Sequence, residues 1–149
     1  MKKKLIIVLT LCFTAFFTNL KAQLLTVHRY FKAATGKHFY TTDFSELGNG
    51  GLGYVHEMPL GRVSATGTSA IAIYRFYNTA TSAHYYSMNS TPPSGFHFES
   101  ILGYSVGPPF AVLLPVYQFH DDHGDFFYST SSATPSGYHP DGVVFQVTN

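Results

Sequence analysis

Apolar and polar residues mix along this chain in short runs, each closed by glycine, proline, serine or asparagine. Beyond residue 22 no stretch keeps the three-to-four spacing of an amphipathic helix. The runs are rich in Tyr, Phe, Val, Ile and Thr, side chains that suit a pleated, half-buried surface. They come in pairs. Val27-His28-Arg29-Tyr30-Phe31 is answered by His38-Phe39-Tyr40-Thr41-Thr42. Ile73-Tyr74-Arg75-Phe76-Tyr77 is answered by His84-Tyr85-Tyr86-Ser87-Met88, and Val116-Tyr117-Gln118-Phe119-His120 by Phe126-Phe127-Tyr128-Ser129-Thr130. Turn residues lie between the partners: Ala34-Thr35-Gly36-Lys37, Thr81-Ser82-Ala83 and Asp121-Asp122-His123-Gly124-Asp125. Each pair therefore predicts a β-hairpin, with Gly36 and Gly124 supplying positive φ at the tip.

A second pattern follows each hairpin: Gly53-Tyr54-Val55-His56-Glu57, Gly95-Phe96-His97-Phe98-Glu99 and Gly137-Tyr138-His139-Pro140-Asp141. The leading glycines are 42 residues apart both times. The chain thus reads as three copies of one unit, about 27–66, 73–107 and 116–149, in a single domain spanning 23–149. The first unit carries four extra residues, since His38 to Gly53 is 15 steps and His84 to Gly95 is 11. Two short hairpins per unit predict four strands, and three such units predict an all-β, β-trefoil-like fold with pseudo-threefold symmetry. Closure protects strand edges. A propeller normally needs four or more blades, and an open solenoid needs polar capping units that are not visible. Other closed or sandwich all-β arrangements are the alternative.

The first 22 residues fall outside this pattern. Lys2, Lys3 and Lys4 precede an apolar run from Leu5 to Phe17, and a polar stretch leads to Ala22. This is the layout of a secretory signal peptide, too short for a comfortable membrane span. Cys12 has no small residue in front of it and apolar residues behind it, which argues against lipidation. Secretion to the extracellular space or periplasm is expected, with no membrane insertion after cleavage.

The whole sequence of 149 residues has a formal charge of +1. Cleavage would remove four of the nine basic residues and none of the eight acidic ones, which leaves −3. It would also remove the only cysteine, excluding a disulfide framework and a Cys-based zinc site. Only 11% of residues are charged, so there is no basic footprint for nucleic acid. Aromatic residues make up 17% of the chain without any Trp, which excludes a disordered protein. The apolar connector 107–115 is expected to be buried, with an exposed protein-binding patch as the alternative.

Tyr74-Arg75-Phe76-Tyr77-Asn78, His84-Tyr85-Tyr86 and His38-Phe39-Tyr40-Thr41-Thr42 resemble a family of uncharacterised secreted repeats. Its pattern runs Tyr-Arg-Phe/Leu-Tyr-Asn, then Thr-Gly-x-His-Phe-Tyr-Thr-Thr, then Gly-Trp/Tyr-x-x-Glu-Gly. The resemblance spans Val27 to Val147, with Tyr54, Phe96 and Tyr138 where the family usually has Trp. It implies a secreted bacterial or fungal protein, alone or attached to a hydrolase, and implies no mechanism.

Comparing the units isolates the candidate chemistry. Matching positions hold Arg29, Arg75 and Gln118; His38, His84 and Phe126; Glu57, Glu99 and Asp141; and Tyr40, Tyr86 and Tyr128. Arg and His are replaced together in the third unit, which points to one Arg-His-acid cluster per unit. Such a cluster can be structural, an ion pair that ties a unit together. It can also be a ligand site, in which an Arg fork, a His, an acid and a Tyr ring suit the hydroxyls and apolar face of a sugar. The ligand-binding candidates are Arg29, His38, Tyr40, Glu57, Arg75, His84, Tyr86, Glu99, Tyr128 and Asp141.

Catalysis has weak support. A glycosidase needs two carboxylates at a set separation, whereas each unit offers one acid beside an Arg that favours its ionised form. No G-x-S-x-G elbow is present. The run Asp121 to Asp125 lacks calcium-loop spacing and reads as a solvated turn, so neither metal nor cofactor is expected. His28, His56, His97, His120 and His139 look scattered. The expected function is a monomeric, non-catalytic, lectin-like binding module with a glycan or cell-surface saccharide as partner. An extracellular protein-interaction or adhesin-like module is the alternative, and a small hydrolase a weaker one.

Overall fold

The paired runs fold as hairpins that share one register. A computed structural model describes residues 23–67, 70–108, 110 and 112–149. β1 (Leu24–Lys32) pairs with β2 (Lys37–Thr41), β5 (Ala72–Asn78) with β6 (Ala83–Ser87), and β8 (Leu114–Asp121) with β9 (Phe126–Ser129). Arg29 lies opposite Tyr40, Arg75 opposite Tyr86 and Gln118 opposite Tyr128.

A further strand covers the other edge of each first strand. β3 (Val55–His56) and β4 (Gly61–Ser64) both pair with β1; β7 (His97–Tyr104) pairs with β5, and β10 (Tyr138–Val147) with β8. The last two strands expected in each unit are separate only in the first. In the other two they form one strand carrying two register shifts, among them Arg75/Phe76 in β5–β7 and Pro140/Gly142 in β8–β10. A bulge re-aims a strand without ending its pairing. Pro140 has no N–H to give the ladder, which places the irregularity there.

The fold is all-β, with two antiparallel sheets and a single 3-10 turn at Phe44–Glu46 among the described residues. The seven-stranded sheet runs β2-β1-β4-β7-β5-β6, with β3 also on β1; the three-stranded sheet runs β10-β8-β9. They meet where Arg62 of β4 and Thr148 exchange backbone hydrogen bonds of 2.8 and 2.9 Å. The approach is close enough to require glycine. A Cβ on Gly61 would lie 2.6 Å from Val147 Cγ2 at this junction, and within the seven-stranded sheet one on Gly103 of β7 would lie 2.5 Å from Val63 Cγ2 of β4.

The core collects matching positions from the three hairpins. Val27, Ile73 and Val116 are fully buried, each two residues before Arg29, Arg75 or Gln118 on its strand. Tyr40, Tyr86 and Tyr128 form a closed ring. The Tyr86 hydroxyl accepts the Tyr40 N–H at 2.8 Å, Tyr128 accepts that of Tyr86 at 2.9 Å, and Tyr40 accepts that of Tyr128 at 2.8 Å. Each hydroxyl donates to the carbonyl of the same residue that it accepts from, at 2.7–3.3 Å. The rings meet edge to face at 5.2–5.4 Å, the geometry their quadrupoles favour. These tyrosines, expected among the ligand-binding residues, are core residues with satisfied hydroxyls. Their constancy across the hairpins is a packing requirement.

The expected signal peptide, 1–22, lies outside the described residues. No helix among the described residues is long and apolar enough to cross a membrane. Residues 109 and 111 of the connector are also outside them. Of the rest, Val112 is exposed and Leu114 enters β8, so the connector is not buried throughout.

Candidate functional site

The Arg-His-acid clusters exist, and each is held by register. Arg29 of β1 donates from Nε to Glu57 Oε2 at 2.7 Å, and His38 Nε2 lies 3.8 Å from the same oxygen. Arg75 Nε lies 2.7 Å from Glu99 Oε2, with His84 Nε2 at 3.5 Å. The Arg75 Nε contact is an ion pair whose angle is too poor for a hydrogen bond. In the third segment Gln118 Nε2 donates to Asp141 Oδ2 at 2.8 Å, and its Oε1, 3.0 Å from the Tyr128 hydroxyl, shares that group's one proton with the Tyr86 carbonyl. Gln and Asp thus make a neutral-to-charged version of the Arg–Glu link. All three tie a first strand to the strand behind it, which is the structural role.

The clusters differ in what faces the histidine. His38 Nδ1 lies 2.5 Å from Asp125 Oδ2, and the His38 backbone N–H donates to Asp125 Oδ1 at 2.7 Å. The Tyr138 hydroxyl donates to Asp125 Oδ2 at 2.8 Å. Asp125 is 1% exposed, so the expected solvated turn ends in a buried carboxylate. Burial alone would raise its pKa; the hydrogen bonds from His38 and Tyr138 reverse this and hold it below the usual Asp range. Its partner comes from another hairpin, 87 residues away, so nothing local marked it.

His84 has no such partner. The side chain is as buried as His38, at 8% exposure, and its Nδ1 has no hydrogen-bond partner among the described residues. Burial, and then the Arg75 charge, lower its pKa to about 3, so the ring is neutral at ordinary pH. Phe39 packs against its face at 4.7 Å, and the Arg75 guanidinium sits 5.0 Å from the same Phe39 ring.

Adjoining clefts of about 260 and 180 Å³ open at this histidine and share Leu52, Tyr54, His84 and Glu99. Lys32, Thr35, Tyr77 and Ser82 complete the first; Phe39, Glu46 and Leu47 complete the second. The first segment and the second therefore contribute opposite walls. The four extra residues of the first segment explain the asymmetry. They allow the 3-10 turn and its following loop, from which Glu46 reaches Arg75 Nη1 at 3.1 Å and Leu52 projects 81% exposed. Leu52 and Ser82 are the non-glycine residues with positive φ among those described, at 53° and 56°, and both line the larger cleft. Left-handed backbone at non-glycine residues is costly and clusters at functional sites.

Of the expected ligand-binding residues, His84 and Glu99 line the clefts and Arg75 holds Glu99 from beneath. Arg29, His38 and Glu57 form the plugged cluster, and Asp141 is engaged by Gln118 and His120. Sequence comparison missed Asp125, Glu46, Leu52, Tyr54 and Tyr77; the insertion before Gly53 was the available signal for Glu46 and Leu52. Histidines that looked scattered also pair: His28 Nδ1 lies 3.2 Å from His56 Nε2. A larger cleft, about 390 Å³, lies between Ile71, Met88, Val143 and Phe145. It holds no titratable side chain, and its Ser105 hydroxyl is bound to the Gln146 backbone. Among the described residues no group of three or more His, Cys, Asp or Glu is placed to hold a metal.

The chain belongs to the family described as a domain of unknown function, DUF5648, whose model matches residues 26–148. No curated protein and no solved structure matches it.

Proposed function

We propose that this member of the family is a secreted, non-catalytic module that binds carbohydrate in the cleft at His84. The observation that carries the reading is the lining of that cleft. The Tyr54 and Tyr77 side chains sit among Lys32, Thr35, Ser82, His84 and Glu99, so apolar ring faces stand beside separate donors and acceptors. A sugar ring presents that combination: hydroxyls at its edge and C–H groups on its face. The larger apolar cleft lacks the polar half.

The use of the acids supports the non-catalytic part of the reading. Glu46 and Glu99, the carboxylates at the smaller cleft, are both bound to Arg75. Pairing with Arg75 favours the ionised form of each, which counts against a general acid there. The reading includes a β-trefoil-like arrangement of three matching units. The closed tyrosine ring and the common hairpin register support it; the fused last strands of the second and third segments are its main departure. Export rests on Lys2–Lys4 and the apolar run behind them.

A glycan array followed by calorimetry on the purified protein tests the function. Saccharide binding that Tyr54→Ala weakens supports it. Binding to no saccharide, with a protein partner captured from culture supernatant instead, would replace it by the interaction-module reading.

A further inference from the structure

Resting on that reading, the structure assigns a ligand chemistry to the cleft: we propose that it holds the carboxylate of a sugar acid, as the chain already holds its own Asp125. The contacts between hairpins follow one sense. Phe127 packs on His38 at 4.9 Å, and Phe39 packs on His84 at 4.7 Å. Asp125 lies two residues before Phe127, and Lys37 lies two before Phe39. Lys37 therefore stands where the plugging aspartate stands in the other cluster. Its Nζ turns away and donates to the His123 carbonyl at 2.5 Å, and among the described residues no acceptor meets His84 Nδ1. Tyr138, which donates to Asp125, packs on Phe127 at 5.8 Å; Tyr54 packs on Phe39 at 5.8 Å and lines the cleft.

The donor set around Asp125 is thus repeated on the Nδ1 side of His84, where among the described residues no carboxylate stands. His84 offers Nδ1. Its backbone N–H faces away from β5, as that of Tyr86 two residues on does when it reaches the Tyr128 hydroxyl. Tyr54 offers its hydroxyl, and Lys32 adds a positive charge at the rim, 5.3 Å from the Tyr54 ring. A carboxylate accepts all of these at once, whereas a neutral hydroxyl accepts few. Glu99 on β7 and Tyr77 on β5 meet the imidazole, the Arg75 charge on β5 acts on it, and Lys32 on β1, Tyr54 and Glu46 of the 3-10 turn line the same clefts. A ligand carboxylate at Nδ1, with Glu99 at Nε2, puts negative charge on both sides of the imidazole and favours its protonated form. Binding therefore takes up a proton, and affinity rises as pH falls.

Calorimetric titration of the purified protein with glucuronate and galacturonate oligosaccharides, beside their neutral glucose and galactose counterparts, tests this. The acids are expected to bind about tenfold tighter or better than the neutral sugars, with proton uptake and competition by acetate. Lys37→Asp should plug the site from within and abolish binding. Tyr54→Phe, which keeps the ring, should weaken the acids about tenfold and serves if Lys37→Asp fails to fold. Equal binding of acidic and neutral sugars, lost in Lys37→Asp, would overturn the carboxylate and keep the carbohydrate reading. Acid binding unchanged in both variants would overturn the location. Binding of no sugar, or of poly-glutamate alone, would overturn both.

Discussion

The Tyr86 hydroxyl takes the backbone N–H of Tyr40 at 2.8 Å and returns a hydrogen bond to the Tyr40 carbonyl at 2.7 Å. One side chain thus does for a neighbouring strand what a further strand would do. Burial pushes the Tyr86 hydroxyl far above the usual tyrosine range, despite the Arg75 charge and the Tyr40 hydrogen bond, so it remains protonated and able to donate. Tyr86→Phe keeps the ring and leaves two buried backbone groups unpaired. A loss of about 3 kcal/mol is expected, at roughly 1–3 kcal/mol per orphaned group. Urea unfolding of the variant beside Tyr117→Phe measures it; equal stabilities would mean the ring contributes packing alone.

Asp125 should govern acid stability. Its carboxyl is held below the usual Asp range in the folded chain, so the unfolded chain takes up the proton first as pH falls. The stability it contributes is present above the ordinary Asp pKa of 3.8 and is lost as pH drops through the folded value. Asp125→Asn should cost about 2 kcal/mol at neutral pH, the worth of a charge-assisted hydrogen bond, and less in acid. Melting curves from pH 7 to pH 2 would show the two proteins converging; a constant gap would contradict the assignment.

His84 works in the opposite sense. Its folded pKa is about 3 against 6.5 for a free imidazole, so below 6.5 the unfolded chain binds a proton that the folded chain refuses. The neutral histidine therefore costs stability progressively between about 6.5 and 3, and nothing above that window. Ring-proton NMR should find the His84 imidazole neutral at pH 5 in the ligand-free protein. His84→Gln should flatten the decline in stability over the same range, and a decline as steep as before would assign it elsewhere.

Ser82 occupies the hairpin-tip position that Gly36 and Gly124 hold in the other hairpins, with φ of 56° against 65° and 78°. Ser82→Gly relieves a left-handed side chain but frees the unfolded chain, for a net gain of about 0.5 kcal/mol. Calorimetric melting should show a small rise and saccharide titration a fall in affinity. A rise without any loss of binding would mean Ser82 is strained for no gain at the cleft.

The hairpins were legible because strand chemistry and turn chemistry are local. Tyr, Phe, Val and Ile runs around Gly36 or Gly124 have few other ways to pair, and the matched Arg and His positions marked the ion-paired clusters correctly. Asp125 was misread for the same reason. In sequence it belongs to a polar turn, and only the seating of β9 against β2 buries it on His38. Tyr40, Tyr86 and Tyr128 matched a ligand pattern equally well as a core pattern, because both demand an aromatic ring with a hydroxyl.

The amino-acid order by itself determined the all-β class, the hairpin positions and the pairing of Arg with acid, since each follows from neighbours or from register. Tertiary structure decided which histidine is occupied and which stands open. Lys37 and Asp125 are alike in place and opposite in charge, and the side chain of each reaches into another hairpin. Asp125 fills the first hairpin's cluster from the third, whereas Lys37 turns back to the third and leaves His84 open, so the difference between a plugged cluster and a cleft exists only once the hairpins have packed on one another.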